Sequence, residues 1–379
     1  MKKFGIIKFM FIIAFFSILV IPILHADYKG GAKSDEENRY LASWPTLFSD
    51  GQLNFKGFED WISDNIGGRH RAQSLIKTID YKIFGIYGQS LTILGKKQWL
   101  YMATPDEYHE YQNTNLLTRD EADYYAQEYE KDAKAFKDMG IDFYLCMWPR
   151  KFTVYPEYMP DTFIRNGDTS DFDVLEDAFN NRKSLEFYTP RHILSKKKTE
   201  RLTFSKSKDA NHWSNYGAYL AYTGMMEKIS EKYPQLQILQ PEDFDITEQD
   251  FYTTTAFGFE SSEKDLVYNL KHDSTHSDKD YFEKHEIQLK DTWHSWNYYC
   301  NDDNSSLPKV LIIGDSYVWE FLLQDISQSF SETAFIHISD YPQTGNVIQV
   351  LHPDIVICAA LGDNIEGITS IRDYLSPTE

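Results

Sequence analysis

The chain has 379 residues, more than one ordinary hydrophobic core holds, so one large domain with appendages, or two domains, is expected. Its 58 acidic against 38 basic residues give a formal charge of −20, which repels nucleic acid and disfavours anionic envelope polymers unless a site is locally basic. Three cysteines without a Cys-x-x-Cys spacing exclude a disulfide framework and a zinc ribbon, and no cofactor is expected.

The first 26 residues, MKKFGIIKFMFIIAFFSILVIPILHA, start basic and continue, from Phe9 to Leu24, uncharged and apolar but for Ser17. That pattern is an export signal, retained as a membrane anchor or cleaved near Ala26. The remainder is therefore expected to act outside the cytoplasm. Residues 27–38, rich in Gly, Lys, Asp and Glu, read as a linker. Helical spacing from Phe58 to Phe84, interrupted at Gly67-Gly68, predicts two helices. Residues 27–90 thus form a linker and helical segment ahead of a domain over 91–379.

Within that domain, Leu91 to Met102 reads as a strand pair, Asp120 to Met139 as an amphipathic helix closed by Gly140, and Ile141 to Trp148 as a buried strand. Helices are expected over Asp173 to Glu186 and Asn215 to Lys232. Residues 240–303 lose periodicity and read as a charged, aromatic-rich insertion with short strands at most. The end is more regular: strand Val310 to Ile313, helix Val318 to Ser329, strand Thr333 to Ile338, a helix around Asn346 to Leu351 and strand Asp354 to Ala359. Such alternation predicts an α/β fold with a mainly parallel sheet covered on both faces. Cys146 and Cys358 fall in strands and read as buried apolar residues.

In KVLIIGDSYVWEF, Ser316 stands at the end of a strand, where α/β sheets bind ligands. The backbone N–H groups of Ser316 and Gly314 are candidate donors to an oxyanion. The structural alternative is that Asp315 or Ser316 only caps the next helix. A serine nucleophile needs a histidine base and an acid to orient it. Four Asp-x-x-His pairs are available, at Asp106/His109, Asp209/His212, Asp273/His276 and Asp291/His294. The second leads into a helix, in DANHWSNYGAYLAY, with Trp213 beside the histidine and Gly217-Ala218 allowing close packing; the other three lie in polar loops or in the insertion. His272, His276 and His285 are too irregularly spaced for a metal site.

Gly-Asp-Ser after a strand and Asp-x-x-His before a helix resemble the two catalytic blocks of SGNH (GDSL-type) hydrolases, here in reversed chain order. That permuted order resembles the alginate O-acetylation family (AlgX/AlgJ-like) and its DHHW-type relatives. ENRYLASWP, FEDWISDNIGGRHRAQSLI, GKKQWLYM and PRKFTVYPEYMP resemble further segments of that family in the same order. The family commonly has Asp-x-His-Trp, whereas Asp209 precedes His212 by three.

The resemblance implies an SGNH-hydrolase-like three-layer α/β/α domain with circularly permuted motifs. It also implies O-acetyl transfer to an exopolysaccharide or envelope glycan, with Ser316 as nucleophile, His212 as base and Asp209 as orienting acid. In such systems a multi-spanning MBOAT-type acyltransferase delivers the acetyl group across the membrane. Trp213, Trp293, Trp296 and Asn364 are candidate contacts to the sugar, with Tyr298, Tyr299 and Glu366 near them. A carbohydrate esterase using the same triad, or a non-catalytic glycan-binding protein, are the alternatives.

Overall fold

The computed structural model describes residues 2–34, 39–49, 51–79, 92–102, 104–254, 260–290 and 298–376. They fall into two compact units, residues 1–90 with 254–260 and residues 91–253 with 261–379.

In the first unit, helices span Lys2–Leu24, Phe55–Asn65 and Arg69–Ile79. Asn54 starts the second helix by accepting the Gly57 N–H at 2.9 Å. Asp64 and Asn65 at its end hold the Ala42 N–H and C=O at 2.8 and 2.7 Å, and Trp44 meets Trp61 edge to face. Among the described residues no helix is long and apolar enough to cross a membrane.

The second unit is organised by a seven-stranded sheet: β1 Asp142–Trp148, β2 Glu186–Tyr188, β3 Thr275–Ser277, β4 Tyr298–Asn301, β5 Lys309–Gly314, β6 Glu332–His337 and β7 Ile355–Leu361, in the order β3-β4-β6-β5-β7-β1-β2. Strands β6, β5, β7, β1 and β2 are parallel. β3 and β4 add an antiparallel edge, so the sheet is mixed but mainly parallel, as expected.

Alternate strand residues face opposite layers. Phe143, Leu145, Met147, Leu311, Ile313, Val356 and Cys358 share one core with helices α1 Arg119–Asp138 and α2 Asp171–Asn180. On the other face Trp148 meets Trp213, just ahead of helix α3 Asn215–Ser230. Burial on both faces explains why the central strands are continuous apolar runs. Helix α1 begins at a capping box between Thr118 and Glu121, buries Ala122, Ala126, Tyr129 and Phe136 along one stripe, and stops before Gly140 at φ 82°.

Three expectations change. The helix expected over Asp173 to Glu186 starts earlier, because Ser170 and Asp173 form a capping box, and it ends at Asn180, leaving Glu186 to open strand β2. The helix expected over Val318 to Ser329 is two short ones, α4 Ser316–Trp319 and α5 Leu323–Ser327. The insertion is not irregular: Phe244–Thr254 and Glu260–Leu270 are eleven-residue strands paired in their own two-stranded sheet.

Candidate active site

The first half of the site grows from the carboxyl end of β5. Asp315 caps α4: its Oδ1 accepts the Tyr317 N–H at 3.1 Å, while its Oδ2 accepts the Leu361 N–H at 2.8 Å and faces the Asn364 amide at 3.4 Å. One buried carboxylate therefore ties the ends of β5 and β7 together, although burial pushes it up to about 6. The cap belongs to Asp315, so the Ser316 hydroxyl has no capping duty. Gly314 is in register with His337 and Ala359, and a Cβ there would meet Phe335 Cε2 at 3.0 Å and Val318 Cγ2 at 3.1 Å. Its visible role is close packing beneath the serine. The Ser316 N–H heads a helix, where no intrahelical partner exists.

The second half is a closed loop. Phe204 and Trp213 form a bridge, the Ser205 N–H donates to the His212 carbonyl at 3.3 Å, and the Ser214 N–H to the Thr203 carbonyl at 3.2 Å. Ser214 then caps α3 by accepting the Gly217 N–H at 3.1 Å. A Cβ on Gly217 would lie 1.9 Å from the Thr203 oxygen and 2.8 Å from its carbonyl carbon, both backbone atoms. Gly217→Ala is thus expected to destabilise the fold by about 3 kcal/mol, the upper range for overpacking, read as a lowered denaturation midpoint. An unchanged midpoint would show that α3 can shift without cost.

Within this loop Asp209 uses both oxygens. Oδ1 accepts the backbone N–H groups of Asn211 at 2.6 Å and His212 at 2.9 Å, and Oδ2 lies 2.8 Å from His212 Nδ1. His212 Nε2 in turn lies 2.8 Å from Ser316 Oγ, across 104 residues of sequence. Burial opposes the charged form of Asp209, but the His212 hydrogen bonds and charge, with Lys151, hold it well below the ordinary carboxylate range. Burial likewise opposes a charged imidazole. The Asp209 hydrogen bond and charge, aided by Glu320 and Asp315, outweigh it and raise His212 above its ordinary value. The chain of contacts suits proton transfer from Ser316 Oγ to Nε2, with Nδ1–H fixed on Asp209.

Two supports escaped sequence reasoning. Lys151, buried just after β1, donates to the carbonyls of Leu100 at 2.9 Å and Asp209 at 2.5 Å, and burial lowers its ammonium to about 7. The signal was available: Pro149-Arg150-Lys151 follows directly on a buried strand. Glu263, buried on the strand Glu260–Leu270, accepts from Ser205 Oγ at 2.7 Å and from the N–H groups of Ser207 and Lys208 at 2.6 and 3.2 Å. Asp265 beside it accepts the Asn215 N–H at 2.9 Å. The insertion thus fastens the loop that carries Asp209 and His212.

The remaining candidates separate. Trp213 is 1% exposed, packed on Trp148 and Tyr317, so its ring supports His212 from within and cannot form a sugar platform. Trp293, Trp296 and His294 lie outside the described residues. Asn364 is half-buried against Asp315. His109 contacts Thr114, His276 pairs with Asp302 and His272 with Asp303, all exposed, while the His285 ring lies tilted against Tyr281 at 4.7 Å. No group of three or more metal-ligating side chains occurs among the described residues.

Beyond β7 lies a cavity of about 310 Å³ lined by Glu110, Asp171, Phe172, Asp363 and Glu366 among others. Arg150 bridges Glu110, at 2.9 Å, and Asp363. Burial, opposed by Arg150 and reinforced by Asp363 and Asp171, still pushes Glu110 up to about 8, and burial takes Glu366 to about 7.

No curated protein sequence matches the chain. Among solved structures, Bacillus cereus PatB1 superposes with a TM-score of 0.54 at 14% identity, covering 72% of this chain and 97% of that one. The same protein with a sulfonyl adduct gives 0.55 at 14% identity, covering 73% and 95%. The O-acetyltransferase domain of Pseudomonas putida AlgJ gives 0.43 at 14% identity, covering 73% and 93%. At 14% identity the likeness to PatB1 is one of fold. Residues 92–332, which include Asp209, His212 and Ser316, match the family model described as the SGNH hydrolase-like domain of acetyltransferase AlgX. With its strand-end serine and loop histidine in this permuted order, the chain belongs to the AlgX-type family of SGNH hydrolase-like acetyltransferase domains.

Proposed function

We propose that the protein is an extracytoplasmic O-acetyltransferase that moves an acetyl group to a hydroxyl of an exopolysaccharide or envelope glycan. The observation that carries this reading is the Ser316–His212–Asp209 chain, with contacts of 2.8 and 2.8 Å, inside an acetyltransferase-family domain. Ser316 Oγ attacks the acyl carbonyl of the donor and passes its proton to His212 Nε2. The tetrahedral adduct collapses to acetyl-Ser316, and the leaving group takes that proton. A sugar hydroxyl then attacks the acetyl carbon, His212 receives its proton, and the Oγ–C bond breaks as the proton returns to Ser316. The Ser316 N–H is the proposed donor to the oxyanion.

Two further parts of the reading rest on the first 26 residues and on the family resemblance. The basic start and the apolar run from Phe9 to Leu24 are an export signal, retained as an anchor or cleaved near Ala26, which places the domain outside the cytoplasm. The acetyl donor is supplied by an MBOAT-type membrane acyltransferase.

Transfer exceeds hydrolysis only when an acceptor is held against the acyl-enzyme. Incubation with an activated acetyl ester, with and without glycan oligomers, separates the two. Sugar is expected to speed donor consumption and to leave with the acetyl group, detected by mass spectrometry. Donor loss indifferent to sugar would instead make the protein a carbohydrate esterase.

A further inference from the structure

We infer that Tyr317 and Phe321, on the segment that carries Ser316, are positioning residues: the Tyr317 hydroxyl fixes the peptide unit that leads into His212, and both rings rest against the imidazole. Together they set the approach of Nε2 to Ser316 Oγ. The inference deepens the transferase reading above and rests on it for the reaction concerned.

The hydroxyl joins the chain neighbours of the two reacting residues. Tyr317 follows Ser316, Asn211 precedes His212, and the Tyr317 hydroxyl donates to the Asn211 carbonyl at 2.7 Å, with Asn211 Oδ1 at 3.2 Å. Those two covalent links, this bond and the 2.8 Å contact between His212 Nε2 and Ser316 Oγ close a circuit. Withdrawal of the histidine loop from α4 therefore stretches both contacts. The Asn211 carbonyl and the His212 N–H, moreover, belong to one planar peptide unit. Its carbonyl end is held by Tyr317 and its N–H end by Asp209 Oδ1 at 2.9 Å. A plane held at both ends fixes the direction in which the His212 side chain leaves the backbone.

Tyr317 is itself fixed. It is fully buried, its N–H donates to Asp315 Oδ1 at 3.1 Å, and Asp315 Oδ2 accepts the Leu361 N–H at the end of β7. Position thus passes from the strand ends through Asp315 and Tyr317 to the histidine loop. The rings add a second restraint. The Tyr317 ring lies 4.7 Å from the imidazole and the Phe321 ring 5.4 Å, centroid to centroid and both tilted, while Trp213 meets Tyr317 edge to face at 4.8 Å. In a close-packed interior, a rotation that takes Nε2 off Oγ presses on these rings. The Tyr317 hydroxyl also satisfies a carbonyl, a duty that alone would cost the variant stability and not rate.

The test uses the full chain carrying Tyr317→Phe, which keeps the ring and removes the hydroxyl, and separately Phe321→Leu, which leaves the hydroxyl in place. Hydrolysis of p-nitrophenyl acetate and the second-order rate of fluorophosphonate labelling are measured per folded molecule, with the folded fraction read from circular dichroism melts. Tyr317→Phe is expected to lower kcat and the labelling rate about tenfold, and Phe321→Leu about fivefold. KM should stay within about twofold of native, because one base serves both the acylation and the deacylation step. The acid inflection, which Asp209 raises above 6.5, should stay where the native protein has it, since the Asp209–His212 pair is untouched. Rates per folded molecule within about twofold of native in Tyr317→Phe overturn the inference. So does an inflection that falls with the rate, which would place the effect in the Asp209–His212 pair. Should Tyr317→Phe not fold, a native rate in Phe321→Leu overturns it. Neither readout contains a glycan, so a protein that shows the expected losses yet acetylates no sugar would keep both residues in their roles and lose the transferase reading instead.

Discussion

Ser316→Ala is expected to abolish covalent capture by a fluorophosphonate and to lower acetyl transfer by about 10⁴-fold or more, with a stability change of about 1 kcal/mol or less. The two effects separate because of what the hydroxyl touches. Its partner is His212 Nε2, at 2.8 Å, whereas the helix it begins is capped by Asp315. Had Ser316 been the cap, its removal would have cost about 1 kcal/mol of helix stability and told nothing about chemistry. With the cap assigned to Asp315, a loss of labelling without a loss of folding reads on the nucleophile alone. Labelling that persists in the variant would remove Ser316 from the mechanism. A fall in labelling that tracks a fall in melting temperature would instead place the hydroxyl among the fold's supports.

The parts of this molecule that the sequence made visible are those whose burial is symmetric. β5, β7 and β1 are covered on both faces, so each is a run of apolar residues that ends where the strand ends. Helix α3 was equally clear, since Gly217, Ala218 and Ala221 mark a face that packs closely.

The paired strands Phe244–Thr254 and Glu260–Leu270 were hidden for the opposite reason. Their buried positions include Ser261, Glu263 and Asp265, because what they cover is a loop offering N–H and hydroxyl donors rather than an apolar surface. An alternation that places carboxylates inward is invisible to a search for hydrophobic periodicity. The same inversion hid the role of the insertion, which is to hold the Asp209 loop.

Lys151 escaped for a related reason. A buried lysine that serves two carbonyls leaves no spacing pattern, only its place after a strand.

Asp209→Asn is the sharper test of the triad, with an expected loss of about 10³–10⁴-fold in kcat and little change in folding. The geometry dictates which way the new amide must turn. Asp209 Oδ1 accepts two backbone N–H groups, from Asn211 and His212, and only the carbonyl oxygen of an asparagine can replace it there. The amide nitrogen is then left facing His212 Nδ1, where Oδ2 stood at 2.8 Å, and it donates a hydrogen bond instead of accepting one. Nδ1 must accept, so the neutral imidazole carries its proton on Nε2. That nitrogen faces Ser316 Oγ and can no longer take the serine proton.

The pH profile gives a second reading of the same substitution. In the native protein Asp209 raises His212 above its ordinary value of 6.5, so activity should fall as pH drops through an inflection above 6.5, where the base becomes protonated. Asparagine removes the negative charge and leaves burial, which lowers the imidazole, so the residual activity should keep its inflection at a lower pH. A tautomer switch from Nδ1–H to Nε2–H, read by nitrogen NMR of the imidazole, should accompany the loss. If kcat stays within about tenfold of the native value, or the inflection does not move, Asp209 orients nothing and serves only to turn the loop.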